Sequence, residues 1–251
     1  MKTSHTSMIA VALACGAAGA AQALPLSDQT SVELFVGGNT VMPGSFHDGS
    51  SAPLDSAPGG DIAFDRVHFD SAYDNRYAAG AELDYAVDDR LTGFARAAYS
   101  QFDGRSRDVG SQITGEGRVP IGANFDDNHM RQLDLGARYT FAPGARLRPF
   151  VGLGLGAADL AATRATIDES GTATRVELAK GGTVFEQRVE TGLQFSPLPN
   201  FDLRLTAAAL HLGGQHASDD PNLDLLGISP SRSTVGSRWD YPAELGAVWH
   251  F

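Results

Sequence analysis

The sequence predicts an all-β protein, an eight-stranded antiparallel up-and-down transmembrane β-barrel with long extracellular loops and short periplasmic turns. Three observations predict it. The last stretch, Trp239 to Phe251, alternates at period two, with Trp239, Tyr241, Ala243, Leu245, Ala247, Trp249 and Phe251 on one face and Asp240, Glu244, Gly246 and His250 on the other. Seven earlier stretches alternate in the same way, and the connections between strands are by turns long and polar or short. Beyond the N-terminal segment no window approaches the roughly eighteen unbroken apolar residues of a spanning helix, so a membrane would be crossed by strands.

The N-terminus reads MKTSHTSMIAVALACGAAGAAQA. One lysine, an apolar run from Met8 to about Ala18 and the small-x-small tripeptide Ala21-Gln22-Ala23 have the form of a signal peptide, which assigns 1–23 to export and 24–251 to the barrel. Cys15 is the single cysteine. Ala12-Leu13-Ala14-Cys15-Gly16 resembles a lipoprotein signal but sets Leu one position too close to the cysteine. Cleavage near Ala23 would leave a mature chain with no thiol chemistry, disulfides or zinc-thiolate sites.

The first strand is Ser31 to Val36. A Gly-, Pro-, Ser- and Asp-rich segment follows from Val41 to Asn75, including IAFDRVHFD, a short alternating patch that would extend a strand beyond the membrane. Tyr77 to Val87 and Leu91 to Phe102 are the second and third strands, joined by a tight turn at Val87-Asp88-Asp89-Arg90. After a long polar segment from Gln101 to about Asn128, the fourth strand runs from His129 to Phe141, and Ala142-Pro143-Gly144-Ala145 turns the chain into the fifth, RPFVGLGLGA. A third long segment, Ala161 to Gly182, leads to Val184 to Phe195. Ser196-Pro197-Leu198-Pro199-Asn200 then turns into Phe201 to Leu212, and a fourth long segment, Gly213 to Arg238, precedes the last strand.

Alternation alone does not say which face looks inward. Gly80, Gly136, Gly152, Gly154, Gly156, Gly192 and Gly246 all share the face of the mid-strand charges. On a solvated outer surface they would only weaken the strands, whereas in a narrow lumen they make room for long charged side chains from across the bore. The predicted lumen network is Glu82, Arg96, Asp134, Arg138, Arg148, Glu186, Arg188, Glu190, Arg204 and Glu244, joined on the same face by Asp84. The opposite face carries Tyr77, Tyr99, Phe185 and Tyr241 toward the long loops. Tyr85, Tyr139, Phe141, Phe195, Phe201, Trp249 and Phe251 lie toward the turns, so two aromatic belts are expected.

With these faces assigned, YAAGAELDYAVDDRLTGFARAAYS, QLDLGARYTF, RPFVGLGLGAA and AELGAVWHF resemble the strands of small porin-family outer-membrane β-barrels of the OmpA and OmpX type, over the whole chain after the signal. The resemblance implies a Gram-negative outer membrane and contact with its lipid and lipopolysaccharide. It also implies delivery by periplasmic chaperones and a C-terminal signal, Tyr241, Leu245, Trp249 and Phe251, that the barrel-assembly machinery reads. It implies no cofactor. Because the chain stops at Phe251, the periplasmic peptidoglycan-binding domain of full-length OmpA is not expected.

The net charge of −11 and pI near 4.9 argue against nucleic acid as a partner. Other motifs reduce to bland readings. His216-Ala217-Ser218 resembles a lipid A deacylase motif, but Asp219 stands where Asn is expected, and a solvated loop is the better reading. Asp220-x-Asn222-x-Asp224 begins like a calcium loop, yet Leu225 replaces its turn glycine and Ser231 its closing Glu. Gly152-Leu153-Gly154-Leu155-Gly156 lacks the helix that a nucleotide fingerprint needs. His250 and Glu244 share the lumen face and are expected to form a structural pair. The sequence therefore points to a non-enzymatic structural and surface-interaction barrel whose loops meet an extracellular ligand, with a narrow pore and a lipid-modifying enzyme as competing functions.

Overall fold

The computed structural model describes residues 29–40, 45–52, 62–114, 117–169, 172–225 and 236–251. The expected signal peptide, with Cys15 and Ala23, lies outside them. In chain order the strands are β1 (Thr30–Thr40), β2 (Ser45–Ala52), β3 (Ile62–His68), β4 (Tyr73–Ala86), β5 (Leu91–Gly104), β6 (Ser106–Thr114) and β7 (Gly117–Phe125). They continue as β8 (Asn128–Thr140), β9 (Leu147–Leu160), β10 (Thr163–Glu169), β11 (Thr172–Ala179), β12 (Gly182–Leu198), β13 (Phe201–Leu212) and β14 (Arg238–His250).

Eight of them close a barrel in the order β1-β14-β13-β12-β9-β8-β5-β4, every pair antiparallel, with β4 returning to β1. These are the eight strands the alternation predicts. Their apolar face points outward: Leu133, Leu135 and Leu153 are 63%, 65% and 66% exposed. Glu82, Arg138 and Arg188 on the alternate positions are buried at 2%, 2% and 1%. In water that arrangement would be inside out, and in hydrocarbon it is the stable one. Tyr85, Tyr139, Phe141, Phe195, Trp249 and Phe251 are exposed at the turn end and Tyr77, Phe185, Trp239 and Tyr241 at the other. Phe201 stands edge-on to Trp249 with ring centroids 5.6 Å apart, and the Phe251 N–H donates to the Thr30 carbonyl at 3.3 Å.

The long connections differ from the expectation of loops. Three of them hold the hairpins β2–β3, β6–β7 and β10–β11, which join in a second, six-stranded sheet, β11-β10-β7-β6-β3-β2. Several barrel strands run to 14 residues and β12 to 17, where about 9–11 cross a membrane. The wall thus continues beyond the bilayer into these hairpins. Their inward side chains, among them Phe64, Ile121, Phe125, Ile167 and Val176, form one cluster with Phe102, Met130, Leu160 and Leu212 from the outer ends of the barrel strands. The mouth of the barrel is therefore filled with apolar side chains.

Residues 216–220, which follow β13, cover the edge of this sheet. The Glu177 N–H donates to the Asp220 carboxylate at 2.8 Å, the Lys180 N–H donates to the His216 carbonyl at 3.0 Å, and Ala179 bridges Ala217. An uncovered β11 would offer unpaired backbone groups to other chains. A short helix, Pro221–Leu225, then buries Leu223 completely in the apolar cluster. Replacing Leu223 by Asp places an unpaired charge there. The expected outcome is an extracellular sheet that protease removes from intact cells while the barrel keeps its heat-modifiable gel mobility; a resistant variant would show that Leu223 does not hold the sheet.

Candidate functional site

Inside the barrel the strand parity places a packed stack of glycine, phenylalanine, guanidinium and carboxylate. Register sets Phe35 opposite Gly80, Phe94 opposite Gly136 and Phe150 opposite Gly192. In each pair a Cβ on the glycine would collide with the ring, so these three glycines seat an aromatic from the neighbouring strand. Gly152 and Gly156 do make room for charges, a Cβ falling 2.8 Å from Glu190 Cγ at the first and striking the Asp134 carboxylate at the second, but these side chains come from the paired residue of the neighbouring strand and not, as expected, from across the bore. Arginines lie over the seated rings: Arg96 3.6 Å from the Phe35 centroid, and Arg138 4.9 and 5.0 Å from those of Phe94 and Phe150.

The guanidiniums and carboxylates close into a ring. Arg138 reaches Glu82 at 3.0 Å and Glu190 at 2.6 Å, and Arg188 reaches Glu190 at 2.7 Å and Glu244 at 2.8 Å. Arg96 reaches Glu244 at 2.6 Å and returns to Glu82 at 3.7 Å. Arg204 branches from the ring, with Glu82 at 2.8 Å, Asp84 at 2.7 Å and Glu33 as a third partner. Glu33, Glu82 and Asp84 bring carboxylate oxygens close enough for a cation, and the Arg204 guanidinium supplies that positive charge. Charged side chains thus fill the lumen, in contact with one another and drawn from β1, β4, β5, β8, β12, β13 and β14.

The remaining predicted residues stand apart from this ring. Glu186 is buried and accepts from the Gln132 side-chain amide at 2.8 Å. Asp134 is fully buried, and neither of its carboxylate oxygens accepts a hydrogen bond. Arg148 lies at the turn end, bonded to Asp202 at 2.5 Å and Ser196 at 2.8 Å. His250 pairs with Asp202 at 2.7 Å and not with Glu244, which belongs to the ring. Six residues along a strand separate His250 from Glu244 by about 20 Å, which rules that pair out. A vestibule of about 610 Å³ opens here, lined by Asp84, Arg148, Gln194, Arg204 and His250.

Glu33, Asp202, Gln132 and Gln194 are members of the interior that the predicted set omits, although their parity matched it. The buried Phe35, Phe94 and Phe150 gave a weaker signal, because only register reveals the facing glycines. At the other end, Ser218 is buried and its hydroxyl accepts the Asp220 N–H at 3.2 Å. Asp220 itself accepts the Asn222 N–H at 3.0 Å as well as that of Glu177. The His-x-Ser and Asp-x-Asn motifs are thus built into the cover of the β11 edge.

An apolar outer band, aromatic belts at both ends, short turns on one side and a lumen packed with paired charges define a small membrane-spanning β-barrel. Similar solved structures include Neisserial surface protein A, at 12% identity over 90% of this chain and 98% of that one with a TM-score of 0.44. The N-terminal barrel domain of Pseudomonas aeruginosa OprF has 16% identity over 89% and 98%, with a TM-score of 0.36. The outer membrane enzyme PagL has 16% over 88% and 99%, with a TM-score of 0.39. No protein-family model matches the chain, and no curated protein does.

Truncating Arg188 to Ala would strand Glu190 and Glu244 on one side of the ring. A loss of about 3–5 kcal/mol is expected, measured as a lower temperature for the heat-induced gel-mobility shift; an unchanged temperature would mean that the ring is not holding the wall.

Proposed function

We propose that this chain is an outer-membrane barrel of the structural and surface-interaction type, in which the strands anchor the extracellular six-stranded sheet and that sheet meets an extracellular ligand. The observation that carries this reading is the double closure of the bore, by the ring of ion pairs at mid-height and by the apolar cluster at the mouth. Ions crossing the barrel would have to break both. A passive pore is accordingly the weaker reading. Catalysis is not part of the proposal: Ser218 is buried and engaged with the backbone, which supports a structural role for the His216-Ala217-Ser218 segment.

The same proposal includes export with removal of residues 1–23, carriage by periplasmic chaperones and recognition of Tyr241, Leu245, Trp249 and Phe251 by the barrel-assembly machinery. Lipopolysaccharide would surround the outer belt. Each of the four terminal residues is exposed on the outer wall, where another protein would reach it during assembly.

In planar bilayers the purified protein is expected to show no steady conductance, and a stable porin-sized conductance would overturn the closed-bore reading. Mass analysis of lipid A from cells with and without the protein should show one and the same pattern; a change would move the enzyme reading to first place.

A further inference from the structure

Below the ring of ion pairs the lumen does not close again. The vestibule of about 610 Å³ is blind at its upper end, where the Asp84 carboxylate meets the Arg204 guanidinium at 2.7 Å. It opens between the turns that carry Asp88 and Pro143, at the periplasmic end that short turns mark. Its volume falls within the range of roughly 300–1,000 Å³ that encloses a small organic ligand.

The walls of this pocket are polarised. Asp84, Asp88 and Asp89 belong to β4 and to the turn that leads into β5, whereas Arg148, Arg204 and His250 come from β9, β13 and β14. In the barrel order β12 and β13 stand four strands from β4 and β5, so the acidic and basic arcs face each other across the bore. Asp84 and Arg204 satisfy each other at the floor. Nearer the opening the charges keep capacity to spare. Among the described residues Asp89 pairs with no cation, and Asp88 accepts the N–H groups of Arg90 and Leu91 through Oδ1 only, at 2.7 and 2.8 Å. Opposite them Arg148 donates to Ser196 and Asp202 through Nη2, its Nε finds no partner, and His250 turns Nε2 alone to Asp202.

Eight strands spaced about 4.8 Å apart and tilted by about 40° give a barrel about 16 Å across. Side chains of the two arcs narrow that span, but a single amino acid, with both charges on one carbon, does not bridge it. Two or three extended residues, about 7–10 Å end to end, do. We propose that the vestibule binds a short peptide of two or three residues with free ends, its α-ammonium on Asp88 and Asp89 and its carboxylate on Arg148 and His250. The site opens to the periplasm below both closures of the bore, so it can fail independently of conductance and of any ligand of the extracellular sheet.

Isothermal titration calorimetry of the folded, full-length protein in a non-ionic detergent tests it, with trialanine, N-acetyl-trialanine and trialanine amide as probes. Trialanine should bind saturably, and blocking either end should weaken it about tenfold, the equivalent of one good ionic contact. Asp89→Asn should weaken trialanine and the amide and leave the acetylated peptide where it was. Arg148→Gln should weaken trialanine and the acetylated peptide and leave the amide where it was. Arg90→Gln, on the outer wall beside Tyr139, should change nothing, and heat-modifiable mobility verifies folding throughout. Absence of saturable binding, indifference to both blocking groups, or the same response of both variants to both blocked peptides would each overturn the assignment. Tighter binding of the amide than of trialanine would overturn it in favour of a plain cation site.

Discussion

A charge taken into a narrow, water-poor bore costs several kcal/mol unless it finds a partner of opposite sign, and the interior of this barrel is organised by that constraint. Glu82, Glu190 and Glu244 each meet two arginines of the ring, and Arg96, Arg138 and Arg188 each meet two of these carboxylates. Arg188 and Glu190 share β12 and Arg96 and Glu82 face each other in the β4–β5 hairpin, but the other four pairs join strands that no single hairpin connects. The partners come from β4, β5, β8, β12 and β14, so the ring is satisfied only when the barrel has closed. An electrostatic requirement thus becomes a constraint on register, because a slip of one residue would turn these side chains into lipid.

The phenylalanines explain how so many guanidiniums fit. A flat ring laid over a glycine occupies the wall side of the lumen and offers its face to an arginine, so the cation is bonded at its edge and covered on its face. Above this layer the chemistry changes. Met130, Leu160 and Leu212 continue the same inward parity with apolar side chains, and the hairpins beyond the membrane complete that cluster. The lower end stays polar and open around Asp202 and Arg148. One set of strands therefore carries three environments in series, and only the lowest is accessible from a bulk aqueous phase.

Much of the barrel was legible in the sequence because each strand states its faces independently at period two. Val184 to Phe195 was expected and Gly182–Leu198 is observed; Phe201 to Leu212 is unchanged. Of the outer sheet only β3 was legible, in the alternation of IAFDRVHFD, and the rest was hidden by its own irregularity. In β6 the register shifts between Asp108 and Gly110, so Val109 breaks the alternation, and the proline and glycine of VPIGANF conceal the inward series Ile121, Ala123 and Phe125. The pairing of Phe94 with Gly136, or of His250 with Asp202 in place of Glu244, depends on register and reach across strands. Neither is written in the parity of a single strand.

The carboxylates also show where the pairing is incomplete. Asp134 faces Arg96 in register, yet Arg96 is engaged with Glu244, and the Asp134 oxygens accept no hydrogen bond. The closed ring has taken the available cations, which fits a wall stabilised by the ring as a unit and not by independent pairs. A double-mutant cycle on Arg188 and Glu244 tests that claim most directly, because removing both leaves Glu190 with Arg138 and Arg96 with Glu82. If the ring acts as a unit, each single alanine substitution is strongly destabilising and the double variant recovers a coupling of about 1–3 kcal/mol in thermal unfolding. Two strictly additive losses would contradict it.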